Sequence, residues 1–215
     1  MSMQRFYLDV VVGGRRGPLA ALLRAGLRVL SWGYRPLIGL RNLAYDRGWR
    51  QVTRLEKPVV SVGNLTTGGT GKTPWVMEVV RRLEVAGHDP VVLSRGYHGG
   101  ETADEPAMLE AALGEGRVFV DADRVEAGRR ALSQRASADR VVLDDGFQHR
   151  RLGRDLDLVL IDATRPFGGG AILPRGLMRE PKTALGRADM IILTRVNRVD
   201  PAAVEAITRR IKEVA

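Results

Sequence analysis

Cysteine is absent from the 215-residue chain, which excludes disulfide staples and thiolate zinc sites. Histidine is scarce, at three, so a structural metal has few nitrogen ligands to draw on. No stretch reaches the ~20 apolar residues that span a bilayer, and the first residues lack the basic, apolar, small-residue order of a signal peptide. These absences predict a chain that stays in the cytoplasm, free to meet a membrane surface from that side. Acidic residues are thin in one place: residues 1 to 57 hold 11 Lys and Arg against 3 Asp and Glu, so nearly all of the net charge of +9 lies there. A solvated basic face and a surface for an anionic partner both fit that excess. No zinc-finger, RNP or basic-zipper pattern accompanies it, so nucleic acid is not an expected partner. A chain of this length buries roughly 70% of its unfolded surface, enough for one α/β domain with a small appendage.

What is present is organised around KPVVSVGNLTTGGTGKTPWVMEVVRRL, Lys57 to Leu83. Val59, Val60 and Val62 read as a buried strand, Gly68, Gly69 and Gly71 as a turn, and Val76, Val79, Val80 and Leu83 as one face of a helix. Strand, glycine loop and helix make the context of a P-loop, in which bare amides and a helix N-terminus converge on phosphate. The expected nucleotide-binding residues are Thr66, Thr67, Gly68, Gly69, Thr70, Gly71, Lys72 and Thr73. Lys72 then reaches the β- and γ-phosphates and the Thr73 hydroxyl takes a Mg²⁺ position. Thr66 stands where the usual spacing has glycine. A glycine turn capping an ordinary helix is the plainer alternative; Lys and Thr directly after the last glycine favour the P-loop.

Strands are expected again at 91–93, 118–120, 141–143, 158–161 and 190–193, and helices at 105–113, 124–137 and 201–214. This alternation predicts a P-loop NTPase-like, mostly parallel sheet flanked by helices, with ligands at the carboxyl ends of the strands. Ahead of it, Pro18 opens an amphipathic helix with Leu19, Leu22, Leu23, Leu27 and Leu30 on one face and Arg24, Arg28 and Arg35 on another, ending near Trp32 and Tyr34. Periodicity leaves open whether those leucines meet a membrane interface or the protein's own core. The expected division is 1–56 for this basic segment and 57–215 for the nucleotide domain.

Three further stretches sit at strand ends. SRGYHGG, from Ser94, reads as a solvent turn or a substrate loop, and Asp104 in TADEP reads as a helix cap. VVLDDGFQHRRL ends a strand in carboxylates as a Walker B element does, with Asp144 for the metal and Asp145 as the turn residue. Residues 163–181 form a long glycine- and proline-rich loop carrying Arg165, Arg175 and Arg179.

GNLTTGGTGKTP, SRGY, DEP at Asp104 to Pro106, LDDGFQHRRL, IDATRPFGGG with LPRGLMREP, and RADMIILTR together resemble the tetraacyldisaccharide 4'-kinase family of lipid A biosynthesis, in order from about Phe6 to Arg195. The departure at Thr66 belongs to that family's pattern. The resemblance implies transfer of the ATP γ-phosphate to the 4'-hydroxyl of an acylated glucosamine disaccharide 1-phosphate, by a peripheral protein on the cytoplasmic face of the inner membrane. It implies ATP and Mg²⁺ as cofactors, Asp104 as the acceptor of the sugar hydroxyl proton, Lys72 and Thr73 at the phosphate and metal positions, and Asp144 and Asp145 as the Walker B pair. Arg124 and Arg179 become candidates for substrate or transition-state charge, and the N-terminal helix a membrane-docking segment. Family chains continue into a smaller C-terminal lobe, so the expectation is a chain that binds nucleotide and turns over poorly.

Two other classes compete. A membrane-associated P-loop ATPase of the partitioning or septum-placing kind carries a second lysine before its glycine pair, where this chain has Thr67. A basic scaffold with a degenerate nucleotide site predicts salt-sensitive DNA retention indifferent to Lys72.

Overall fold

The computed structural model describes residues 3–12, 14–96 and 104–215. Six strands form one parallel sheet: β1 (Val59–Asn64), β2 (Pro90–Ser94), β3 (Val118–Val120), β4 (Arg140–Asp144), β5 (Leu156–Asp162) and β6 (Met190–Thr194), in the order β3-β2-β4-β1-β5-β6. Every expected strand is present, β3 with the expected bounds and the others extended by one to three residues. Runs of valine, leucine and isoleucine make β1, β2, β4 and β5 strands buried on both faces, as the interior of a parallel sheet requires, while the edge strands β3 and β6 are partly exposed. Alternation then sorts the side chains. Val141 and Leu143 of β4 pack with Val91 and Leu93 beneath α5 (Arg124–Gln134), while Val142 and Val92 turn to Val76, Val80 and Leu109 of α3 (Lys72–Val85) and α4 (Asp104–Leu113). A third cluster joins Phe147, Val159, Ile161 and Phe167 to Ile207 and Ile211 of α6 (Pro201–Lys212).

One glycine is dictated by packing. A Cβ on Gly63, in β1, would lie 2.6 Å from both the Cβ and the backbone nitrogen of Phe147. The absent side chain lets the β4 turn close over the central strand.

The N-terminal region differs from expectation. A helix that the sequence did not signal, α1 (Met3–Val12), precedes the expected one, held by buried Val10 and Val11 and by the Tyr7 hydroxyl donating to the Pro174 carbonyl at 2.7 Å. α2 (Pro18–Asp46) runs well past Trp32 and Tyr34, through an internal Pro36. Its inner side is tied to the body: Ser31 Oγ donates to the Ile172 carbonyl at 3.1 Å, and Asn42 Nδ2 to Glu180 Oε2 at 2.7 Å. Its outer side is apolar and unpacked, with Leu19, Leu22, Leu30, Trp32, Leu37 and Leu40 between 60 and 71% exposed. Of the two alternatives that periodicity left open, packing of Leu19, Leu22 and Leu30 in the protein's own core is therefore the one the structure sets aside. No described helix is long and apolar enough to cross a membrane.

α5 stops at Gln134, three residues short of expectation, and α4 opens at Asp104, placing that residue in the first turn rather than at a cap before it. The long loop after β5 is built rather than structureless. Phe167, Ile172, Leu177 and Met178 are buried, Met178 bridges to both Thr66 and Ile172, and a 3₁₀ turn covers Lys182–Arg187. Apolar side chains under the loop supply the burial that its glycine and proline content obscured.

Candidate active site

β1 delivers the chain to the carboxyl edge of the sheet at Asn64, and α3 starts at Lys72. The loop between them is pinned at both ends. The Thr67 amide donates to the Leu177 carbonyl at 2.7 Å and the Arg179 amide to the Leu65 carbonyl at 2.8 Å. Asn64 Nδ2 donates to Thr70 Oγ1 at 2.8 Å, and Thr194 Oγ1 to the Thr70 carbonyl at 3.1 Å. Gly68 and Gly71 take φ of +110° and +87°, conformations in which other residues are strained. A Cβ added at Gly68, Gly69 or Gly71 would meet nothing within 4 Å, and these three amides donate no backbone hydrogen bond to a described residue. Gly71 caps α3 without a side chain and the first turn holds no acid, so the helix N-terminus faces open space with its amides available to an anion.

Across the loop stands the end of β4. Val62 of β1 lies opposite Asp144 in register. Asp144 is buried, and its Oδ2 accepts from Ser94 Oγ at 3.2 Å. Thr73 occupies the first turn of α3. Asp145 follows β4 in the left-handed region at φ +52°, which turns its carboxylate toward the loop's cations. Lys72 Nζ is 3.5 Å from Asp145 Oδ1, and Arg179 donates to Asp145 Oδ2 at 2.7 Å and to Gln148 Oε1 at 3.1 Å. Burial works against ionisation of Asp145, but Lys72 and then Arg179 outweigh it and hold its carboxyl below the usual range. Asp145 is thus more than a turn residue: it is the shared counter-charge of two cations. Its Oδ1 is buried and is met by the lysine as an ion-pair partner at 3.5 Å.

Two cavities flank this centre. One, of about 350 Å³, runs along Thr66 to Thr70 and is closed by Asp162, Thr164 and Arg195. Asp162 is opposed by burial, but Thr164 and then Arg195 pull its carboxyl below the usual range. The other, of about 270 Å³, is lined by Arg41, Arg95, Arg124, Asp145, Gln148 and Arg179. Arg124 is almost fully buried there and donates to the Asp121 and Ala122 carbonyls at 3.3 and 3.2 Å. His149 lies beside it with its pKa depressed to about 4, first by burial and then by the charge of Arg124.

Lys72, Asp145 and Arg179 therefore converge, with Asp144 at the adjoining strand end, while Thr66 and Thr70 line the cavity alongside. Asp104 opens α4, and its side chain lies outside the described residues, as do Tyr97 to Gly100 of the SRGYHGG loop and Thr102. Sequence reasoning missed Gln148, whose Nε2 donates to the Asn64 carbonyl at 2.9 Å and so ties the P-loop strand to Arg179. It also missed the Asp162 and Arg195 ion pair. Position at a strand end was the available signal for both members of that ion pair; Gln148 sat unremarked inside its motif.

A parallel sheet with a glycine loop between its strand β1 and helix α3, a lysine in the helix's first turn and carboxylates on the neighbouring strand define a P-loop nucleotide-binding protein of the α/β class. The sequence narrows the class further. A sequence model of the tetraacyldisaccharide-1-P 4'-kinase family matches residues 23–215, and the chain belongs to that family. It is 43% identical over 213 residues to the tetraacyldisaccharide 4'-kinase of Anaeromyxobacter sp. (strain K), covering 91% of this chain and 56% of that protein. It is 43% identical over 214 residues to the enzyme of the same name from Geobacter sulfurreducens, covering 91% and 60%. The crystal structure of LpxK from Aquifex aeolicus in complex with ATP superposes with a TM-score of 0.73 at 36% identity, over 83% of this chain and 61% of that one. The chain thus spans about 56 to 60% of the length of these curated relatives. The family match sets aside the partitioning ATPase alternative.

Proposed function

We propose that the chain serves an ATP-dependent lipid kinase that transfers the γ-phosphate to the 4'-hydroxyl of a tetraacyldisaccharide 1-phosphate in lipid A biosynthesis. The observation that carries the reading is the convergence of Lys72 and Arg179 on Asp145 beside a loop of open amides, in a chain of this family. The solved relative's complex with ATP supports ATP as the donor. The triphosphate lies along Thr66 to Thr73, its negative charge met by the loop amides, the α3 N-terminus and Lys72. Thr73 and Asp144 would hold Mg²⁺; a hydroxyl and a carboxylate suit a hard divalent cation. Bound there, the ion neutralises phosphate charge.

The basic cavity at the ends of β2 and β4 takes the acceptor. Arg124 and Arg179 meet charge on the sugar phosphate or the transferring group, and Asp104 takes the hydroxyl proton as the oxygen bonds to the γ-phosphorus and ADP leaves. Residues 1–56 form the membrane-docking segment and 57–215 the nucleotide domain. The exposed apolar side of α2 supports peripheral attachment to the cytoplasmic face of the inner membrane.

Incubation of the chain with γ-labelled ATP, Mg²⁺ and tetraacyldisaccharide 1-phosphate tests the proposal. Label is expected at the 4'-position, and Asp104→Ala should abolish transfer while leaving ATP affinity nearly intact. Label released only as inorganic phosphate would make the protein an ATPase and overturn the reading.

A further inference from the structure

A second basic cavity lies away from the P-loop, in a groove between α2 and the loop at 169–183. Its volume is about 550 Å³. Helical spacing puts Arg28, Ser31, Trp32 and Arg35 on one face of α2, and the opposite wall supplies Arg175 and Lys182. Four cations thus line one groove. None of its lining residues is acidic, and among the described residues none of the four cations has a carboxylate within ion-pair distance.

The groove wall is built rather than incidental. Ser31 is buried; its Oγ accepts from the Arg175 amide at 2.9 Å and faces the Leu27 and Ile172 carbonyls at 2.9 and 3.1 Å. One guanidinium nitrogen of Arg175 donates to the Val11 carbonyl at 3.3 Å, while its Nε is buried with no hydrogen-bond partner. Burial, then repulsion from Arg28 and Arg24, lowers the pKa of Arg175; burial, then Arg210, lowers that of Lys182. Cations crowded against one another beside an unused buried donor are a charge distribution that an anion completes. The groove is edged by Trp32, and Val29, one turn before it on α2, is also exposed. An anion entering it can therefore keep an apolar tail against Trp32.

We propose that this groove binds the phosphodiester headgroup of an anionic bilayer phospholipid, with Arg28, Arg35, Arg175 and Lys182 around the phosphate and Trp32 at the lipid boundary. The site is separate from the acceptor cavity. It deepens the membrane-docking reading of α2 and rests on it.

The test is vesicle binding by the 215-residue chain, comparing vesicles of phosphatidylcholine with vesicles of phosphatidylcholine carrying phosphatidylglycerol. Wild type should bind the anionic vesicles more tightly. Arg28→Glu with Arg35→Glu should lose at least about tenfold on them and little on the neutral ones, and Arg28→Lys with Arg35→Lys should retain most affinity. A control with the same change in net charge, Arg16→Glu with Arg47→Glu, reverses exposed cations outside the groove and should lose less than about threefold. Equal losses in the two reversals would reduce the groove to diffuse attraction and overturn the proposal. Wild-type binding that is the same on both vesicles would overturn the groove and leave membrane docking standing; binding to neither would remove both. If the groove reversal instead raises the KM for tetraacyldisaccharide 1-phosphate in detergent free of phospholipid, the groove takes the acceptor's phosphate and the assignment to bilayer lipid fails.

Discussion

Asp145→Asn removes one negative charge and almost no volume from the centre of the site, so its consequences are electrostatic. At an effective dielectric of ~20, Lys72 at 3.5 Å and Arg179 at 2.7 Å each attract the carboxylate by about 5 to 6 kcal/mol before desolvation. All three side chains are largely buried, at 14 to 22% exposure, so desolvation offsets much of that gain. Loss of the carboxylate leaves two cations facing one another, and the expected destabilisation is about 2 to 4 kcal/mol. Urea unfolding of Asp145→Asn, Arg179→Met and the double variant should return a coupling of about 1 to 3 kcal/mol. Saturating ATP should restore more stability to Asp145→Asn than to wild type, because the triphosphate supplies the counter-charge that the variant lacks. A variant within about 0.5 kcal/mol of wild type, with coupling no larger, would refute the view that Asp145 is their shared partner.

Two further outcomes follow from the packing and the titration. Gly63→Ala drives a methyl into Phe147 at the centre of the sheet, and chemical denaturation should show a loss of about 2 to 3 kcal/mol. His149 is held neutral in the folded state, with a pKa of about 4 against 6.5, so as the pH falls the unfolded chain takes the proton first. Stability should fall between pH 6.5 and 4 by on the order of 1 to 2 kcal/mol, discounted for the ring's partial exposure. His149→Gln should flatten that part of the profile in pH-dependent thermal unfolding.

Much of this architecture was legible because the sheet strands carry their own signal. Runs such as Val141 to Leu143 are apolar on both faces, bounded by polar residues, and spaced by helical patterns, so local chemistry and tertiary fate agree. The N-terminal helices were harder. Pro36 and the glycines at 33 and 39 break the propensity of α2, whose second half is held by contacts to Gln148 and Glu180 more than 100 residues away. α1 offers little beyond Val10 to Val12, and its order comes from burial against the rest of the chain.

The site divides in the same way. Lys72 and Asp144 could be placed from motif and strand position alone. That Asp145 rather than Asp144 meets Lys72 depends on the +52° φ after β4, a backbone choice no side-chain pattern encodes. Arg179 reaches Asp145 because the 163–181 loop folds back, its Met178 bridging to Thr66. A glycine- and proline-rich stretch gives no periodic hint of that return.

Equilibrium binding of ATP to the wild-type chain and to Lys72→Ala, in the presence of Mg²⁺, tests the central claim most directly. Saturable binding that weakens at least about tenfold on loss of the lysine, with the folded state intact by circular dichroism, is the predicted result. Equal affinity in the two proteins would place the nucleotide somewhere other than the loop from Thr66 to Thr73.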